Sequence, residues 1–508
     1  GSWYRCMSEY FDQLPEPILD RLHASPFGEF LALPRFAHVD RCLVEALTER
    51  WWPTTHTFHF PDFELGLTPL DFYMLTGIEV GRPDRLPVPF DSSFEEFESY
   101  SAYLPTMADE EVRGGAVTLP CLQRYIVEYM AVEDMHTPVI RAFILYLFGS
   151  TFFSNNKGTI RLGFLAGLVD VDGLHIYDYG TAIIGYLYVA LDTYALQQSR
   201  QMYGFWYILP FWYYEYTANM HPRLIVEANA TPYIYFPRLR RWGPPMHLSR
   251  VAQGVHNELM EARQQMDMRR RGNIIIRPWD QYLQFLEPGP DHPLTFQFSM
   301  SRRRICFQVP TCPFIWYLGD RCWLQLYGIV RIPSDPLPWD DMYGDIRVGP
   351  AYIHAMRGAG WVDGEPFTVL GDFDSYWARV APRAYALPDY IRGLNSDHIG
   401  PRTSSGRVPL PPATFEPTSS QYTQPPTFDP PPHSFRAYDV HGQVVEYPLQ
   451  YPTDDAITGI PSAGLYQPHQ VCMSFKFSLN YLSLYSPPMY NFSCAHISFL
   501  STWIMIDG

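Results

Sequence analysis

Thr57-Phe-His59-Phe-Pro61-Asp62-Phe-Glu64-Leu-Gly66-Leu-Thr68-Pro69-Leu-Asp71-Phe-Tyr-Met-Leu75-Thr76-Gly77-Ile-Glu79-Val-Gly81-Arg82-Pro83 is the stretch on which the fold reading turns. Thr57 to Phe60 and Phe63 to Leu67 are short alternating runs on either side of Pro61-Asp62, which predicts a hairpin. Thr68 then supplies an N-cap and Pro69 a first-turn proline for a helix over Leu70 to Leu75, and Thr76-Gly77 ends it.

Helices are expected on both sides of this stretch. Upstream, Val39, Cys42, Leu43, Ala46 and Leu47 share one face of a helix from Ala37 to Arg50, which Trp51-Trp52-Pro53 stops. Downstream, the spacing predicts helices over Leu119 to Ala131, Pro138 to Phe148 and Gly180 to Gln201, and a long charged one over Val251 to Arg271. Arg304 to Gln308 and Trp323 to Ile329 read as strands or buried segments around Pro310 to Pro313. The fold class is therefore mainly α, an α-rich α+β multi-helix domain with short β-hairpin elements.

Four regions are expected: a lead-in over 1–18, a folded domain over 19–397, a proline-rich disordered linker over 398–435, and a C-terminal tail over 436–508, poorly ordered or partial, with no clear repeated pattern. The linker contains Pro411-Pro412, Pro425-Pro426 and Pro430-Pro431-Pro432 among Ser, Thr and Gln, a composition of partly polyproline-II chain. The sequence opens on Gly1 without a signal or transit pattern, as if cut from something longer. Its scattered eight cysteines suit a reducing compartment, and no apolar run is long enough for a membrane span.

Lysine occurs only at Lys157 and Lys476 among 37 basic residues, a skew that codon composition explains without function. Neither lysine follows a glycine as a phosphate loop requires, and Lys157 sits in an Asn-Asn-Lys-Gly turn. Schiff-base catalysis and Walker-type hydrolysis are thus disfavoured. A net charge of −16 argues against wholesale phosphate-backbone binding but leaves room for a local basic patch.

The 57–83 stretch resembles the start of the plant mobile domain, also labelled aminotransferase-like, where a short hairpin leads into a Thr-started helix and a Leu-x-Gly-Leu-x-Val-x-Gly turn. Leu75 to Gly81 is one residue shorter before the last glycine. Arg141 to Phe153 is similar to that family's leucine-rich helix and Gly-Ser segment, and Tyr179 to Tyr188 to its Trp-Gly-x-Ala helix, with Tyr179 at the Trp position. Leu209 to Glu215 resembles its Leu-x-x-Trp-x-x-Glu element. Gln325 to Pro333 resembles its Gln-Phe-Gly segment, with Leu326 and Arg331 where glutamines are usual. The resemblance implies a transposon-derived, nuclear protein tied to silencing, genome stability and meristem maintenance, with a serine/threonine phosphatase-type partner. It implies no catalytic residues and no cofactor, and the lysine count undercuts the aminotransferase label.

Three arginine clusters, Arg238, Arg240 and Arg241, then Arg269, Arg270 and Arg271, then Arg302, Arg303 and Arg304, are the candidate nucleic-acid residues, since arginine suits bidentate phosphate contact. Solvated helix ends and strand edges are their ordinary alternative. Asp170 with Asp172, and Asp372 with Asp374, are candidate metal or acid–base pairs, each in a turn that favours aspartate anyway. His56 and His59 precede Asp62 but would point to opposite faces of a strand, which defeats shared ligation. Cys306, Cys312 and Cys322 lack zinc spacing. The aromatics from Phe205 to Tyr214 read as core before base-stacking platform. The leading expectation is a non-enzymatic nuclear interaction module with a protein partner and no membrane association. The alternatives are a transposon-encoded nucleic-acid-binding protein using the arginines, and a metal-dependent enzyme using the paired aspartates.

Overall fold

The computed structural model describes residues 11–33, 39–196, 198–199, 201–217, 236–242, 259–280, 282–283, 288–289, 291–312, 314–333, 339–343, 362–363, 372–377, 434–438 and 444–448. All lie in a unit that spans Gly1–Val471, and a second unit, Cys472–Gly508, lies outside the described residues.

Helices α1 (Glu16–His23) and α2 (Arg41–Thr48) lead into the hairpin region. The Asp40 side chain accepts from the Leu43 amide at 2.9 Å, and this cap starts α2 later than apolar spacing alone predicts. Strands β1 (Trp51–Trp52), β2 (Thr57–His59) and β3 (Glu64–Leu65) form a three-stranded antiparallel sheet, with Phe58 opposite both Trp51 and Leu65. Helix α3 (Pro69–Thr76) follows directly. A reciprocal capping box starts it: Thr68 Oγ1 accepts from the Asp71 amide at 3.0 Å, and Asp71 Oδ2 accepts from the Thr68 amide at 2.9 Å. Gly77 ends the helix with φ 77°, a left-handed conformation that favours glycine.

Strands β4 (Val112–Arg113) and β5 (Ala116–Thr118), helices α4 (Leu119–Tyr129) and α5 (His136–Leu147), and strand β6 (Thr159–Arg161) come next, with β5 central in the second small sheet. Helix α6 (Tyr179–Ala195) is the hub of packing. Its Ile183, Ile184, Leu187, Tyr188 and Leu191 are all fully buried, and so are residues on its other faces, such as Ala190 and Asp192. A helix apolar on most sides belongs in the middle of a core. It ends before the predicted Gln201 because the Gln198 amide turns back to the Thr193 carbonyl at 2.9 Å.

Helices α7 (Ile208–Tyr216), α8 (Leu259–Asp267) and α9 (Pro293–Ser301), strands β7 (Arg303–Phe307) and β8 (Ile315–Leu318), and helix α10 (Trp323–Tyr327) complete the matrix, with β9 (Val362–Asp363) on the free edge of β7. The fold is α-rich α+β, as its sequence pattern predicts. One expectation changes in part. Within Trp323 to Ile329, expected as a strand or a buried segment, Trp323–Tyr327 is a largely buried helix closed by Gly328 at φ 68°, and β8 occupies the strand position beside β7. Residues 251–258 of the long charged helix and 398–433 of the linker lie outside the described residues; at the linker's end the backbone forms an antiparallel hairpin, β10 (Ser434–Tyr438) with β11 (Val444–Pro448).

The turn that ends the 57–83 stretch packs directly on the start of α6. Asp178 Oδ2 and Thr181 Oγ1 accept from the Gly81 amide at 3.0 and 3.1 Å. A Cβ on Gly180 would lie 2.1 Å from the Glu79 carbonyl oxygen, so the family-like Tyr-Gly-x-Ala pattern reflects a close backbone approach. Gly180→Ala is expected to destabilise the chain by about 1–3 kcal/mol in urea unfolding, and an unchanged midpoint would contradict this packing.

Candidate functional site

The residues most able to carry chemistry gather beneath the hairpin, and Asp71 is at their centre. Its Oδ1 accepts from Tyr216 Oη at 2.7 Å and from Trp279 Nε1 at 2.7 Å. Its Oδ2 accepts from the Thr68 amide and, at 3.3 Å, from Trp212 Nε1. Gln325 Nε2 stands 3.5 Å from the same oxygen and donates to Tyr216 Oη and to the Gly66 carbonyl, while its Oε1 accepts from the Gly66 amide at 2.7 Å. Burial pushes the Asp71 carboxyl above its ordinary range, against the pull of these donors.

Three further buried groups surround this centre. Glu215 takes both arms of the Arg238 guanidinium, at 3.2 and 2.9 Å, and the Trp242 indole N–H at 3.0 Å, while Arg238 lies over the Tyr282 ring. His56, at φ 50° in the turn before β2, faces the Trp316 carbonyl through Nδ1 and Asp192 through Nε2 at 3.0 Å. Asp192 also accepts from Trp51 Nε1 and Tyr343 Oη, both at 2.6 Å. His59 packs near Thr55, Thr57 and Glu64, its Nε2 3.3 Å from Glu64 Oε2. Burial holds the His59 ring below its ordinary pKa although Glu64 opposes the shift. Burial alone would raise Glu64, but Arg321, His59 and Thr57 together hold it below the usual carboxylate value.

The two histidines therefore belong to different internal networks. The arginine clusters divide as well. Arg238, Arg269 and Arg304 are buried, and Arg304 forms a two-armed pair with Asp320 at 3.1 and 3.0 Å. Arg241 lies over Trp242 and 3.5 Å from Glu215, and Arg240 reaches the Ala32 carbonyl. Arg302 and Arg303 are half-buried at the junction of α9 and β7, and Arg270 is exposed, donating to the Asp267 carbonyl at 2.8 Å.

Arg271 meets one of the aspartate pairs, binding Asp374 while also approaching Asp62 at 3.7 Å. Asp172 of the other pair takes both arms of Arg21 at 2.8 Å, which holds its carboxyl below the ordinary value. Cys306 and Cys322 are buried and Cys312 half-buried, and burial pushes the Cys322 thiol up. Phe205, Phe211, Trp212, Tyr213 and Tyr214 face the core. Lys157 is exposed in its turn, and Lys476 lies outside the described residues. Among the described residues, no group of three or more His, Cys, Asp and Glu is placed to hold a metal ion, and no helix is long and apolar enough to cross a membrane.

Asp71, Glu64, Asp192, Glu215, His56 and His59 are each at most 4% exposed and are enclosed by protein partners. What this arrangement does chemically is tie distant segments together. The tie residues Asp71, Tyr216, Trp279 and Gln325 carry no catalytic spacing and were not singled out in the sequence; the Thr68-x-x-Asp71 capping-box spacing is a local signal that could have found Asp71.

A helical matrix held on buried polar clamps, with a hairpin feeding a capped helix, defines the class. The chain belongs to the plant mobile domain family, whose model, described as Plant mobile domain, matches residues 27–336. Among Arabidopsis thaliana proteins it is 24% identical to Protein MAIN-LIKE 2 over 74% of this chain and 52% of that protein, and 28% identical to Protein MAIN-LIKE 1 over 62% and 59%. It is also 29% identical to a Serine/threonine-protein phosphatase 7 long form homolog from the same plant, over 39% of this chain and 15% of that one. The chain thus spans a little over half the length of the first two relatives. No solved structure matches it.

Arg238→Ala removes the two-armed partner of buried Glu215 and leaves it the more distant Arg241 at 3.5 Å, which is expected to cost about 3 kcal/mol in chemical denaturation, whereas Arg270→Ala stays within about 0.5 kcal/mol. Because burial holds His59 below the ordinary imidazole value of 6.5 in the fold, the unfolded chain binds the extra proton first as pH falls. Its contribution is complete above 6.5 and is lost progressively below it, so melting temperature should fall on acidification, and less steeply in His59→Gln.

Proposed function

We propose that this chain is a non-enzymatic interaction module that works in the nucleus, in transposon silencing and genome stability or in meristem and developmental maintenance, alongside a serine/threonine phosphatase-type protein. The observation that carries this reading is the internal use of its reactive side chains. Asp71, Glu215, Asp192 and the two hairpin histidines are spent on clamping the fold, and the aspartate pairs at 170–172 and 372–374 are each engaged by an arginine. A domain whose polar groups are arranged this way offers partners a shaped surface.

The relatives support the biological setting. Protein MAINTENANCE OF MERISTEMS from Arabidopsis thaliana is 23% identical over 59% of this chain, and the phosphatase homolog carries a similar region within its own length. A domain that occurs in one chain with a phosphatase is a natural partner for a phosphatase when it stands in another. The transposon origin is part of the same proposal and rests on the family.

The test is affinity purification of the tagged full chain from plant nuclei, with phosphoester hydrolysis measured on the complex and on the chain alone. A serine/threonine phosphatase should co-purify and carry all the activity. Turnover by the chain alone, or its recovery without any phosphatase, would contradict the proposal.

A further inference from the structure

Residues 372–377, Asp-Phe-Asp-Ser-Tyr-Trp, lie beyond the matched domain of 27–336 and yet are seated on it. Asp372 caps this helical turn, accepting from the Ser375 amide at 3.0 Å and from Ser375 Oγ at 2.7 Å. Asp374 and Trp377 are three residues apart, which puts both on one face of the turn. Trp377 is 8% exposed; its indole N–H donates to the Pro61 carbonyl at 3.1 Å and its ring lies 5.1 Å from that of His59. Asp374 pairs with Arg271, whose guanidinium also lies 5.4 Å over the Phe373 ring. Tyr376 packs on Ile332.

Every receiving residue belongs to the matched domain, and every inserted residue lies outside it. Pro61 and Asp62 form the hairpin tip, and Arg271 arrives from beyond α8, so two separate parts of the domain build one shelf. The shelf offers a carbonyl acceptor, a buried histidine face and a cation. The groups it selects are an indole N–H and ring with a carboxylate one turn earlier.

The geometry points to this shelf as a docking site for an acidic, tryptophan-bearing helical turn of a partner protein, which the chain's own residues 372–377 fill in the present state. The tethered segment competes at an effective concentration of about millimolar, so a partner must displace it, and the contact is self-inhibitory. This inference rests on the reading of the chain as an interaction module. Its test uses purified chain alone, so its failure is distinguishable from a failure of the phosphatase co-purification.

The probe is a fluorescent synthetic peptide of residues 370–379, titrated by anisotropy into the full chain. The double variant Asp374→Ala/Trp377→Ala empties the shelf, and it should bind the peptide about tenfold or more tighter than the unaltered chain. Adding Arg271→Ala, or raising the salt, should weaken that binding. Circular dichroism checks that the variants fold. Should the double variant unfold, hydrogen exchange on the unaltered chain decides instead: excess unlabelled peptide should speed exchange at 372–377. Equal weak binding by both chains, equal binding of a scrambled peptide, or unchanged exchange would overturn the proposal. Elution of the unaltered chain as a dimer with exchanged segments would assign the shelf to a second copy and overturn the partner reading.

Discussion

The buried Asp71 carboxylate is the constraint on which the rest of the structure depends. Asp71 begins as a local element, the third residue of a capping box that starts α3. The same two oxygens then hold Trp212 and Tyr216 from α7 and Trp279 from the segment after α8. Gln325, from α10, links this centre to the Gly66 backbone. Segments more than 250 residues apart in sequence are thus referred to one side chain. A carboxylate in a medium of low dielectric is tolerated only with such a set of donors, and each donor in turn has few other places to go.

The near-absence of lysine fits this construction. Glu215 with Arg238, Asp320 with Arg304, Glu49 with Arg263 and Glu95 with Arg161 are pairs in which a planar guanidinium offers two N–H groups to one carboxylate. Lysine is a point charge and cannot form that fork. Codon composition can set the overall arginine content, but at these positions the geometry requires arginine. The clusters that look like phosphate readers in one dimension are divided in three dimensions, with one arginine of each buried and the others half-buried or exposed.

Much of the fold was legible in the sequence. The hairpin, the Thr68 cap, the Gly77 stop and the helices α4, α5 and α6 follow from local periodicity and capping chemistry, which act within a few residues. Trp323 to Tyr327 was less so, because a short apolar run suits a strand or a buried helix equally, and only Gly328 and packing against its neighbours decide. The polar centre was hardly legible at all. Asp71 finds Trp279 and Gln325 through tertiary structure, and no spacing rule encodes a meeting across that many residues. The pairing of Arg271 with Asp374 is similar: each was visible as a charged candidate, and their mutual engagement was not.

Asp71 and its donors form one coupled unit. A double-mutant cycle on Asp71→Asn and Tyr216→Phe, read by urea unfolding, tests it most directly, since the second change removes only the hydroxyl that donates to Asp71 Oδ1. A coupling of about 1–3 kcal/mol is expected of such a unit, while effects that add to within about 0.5 kcal/mol would contradict it.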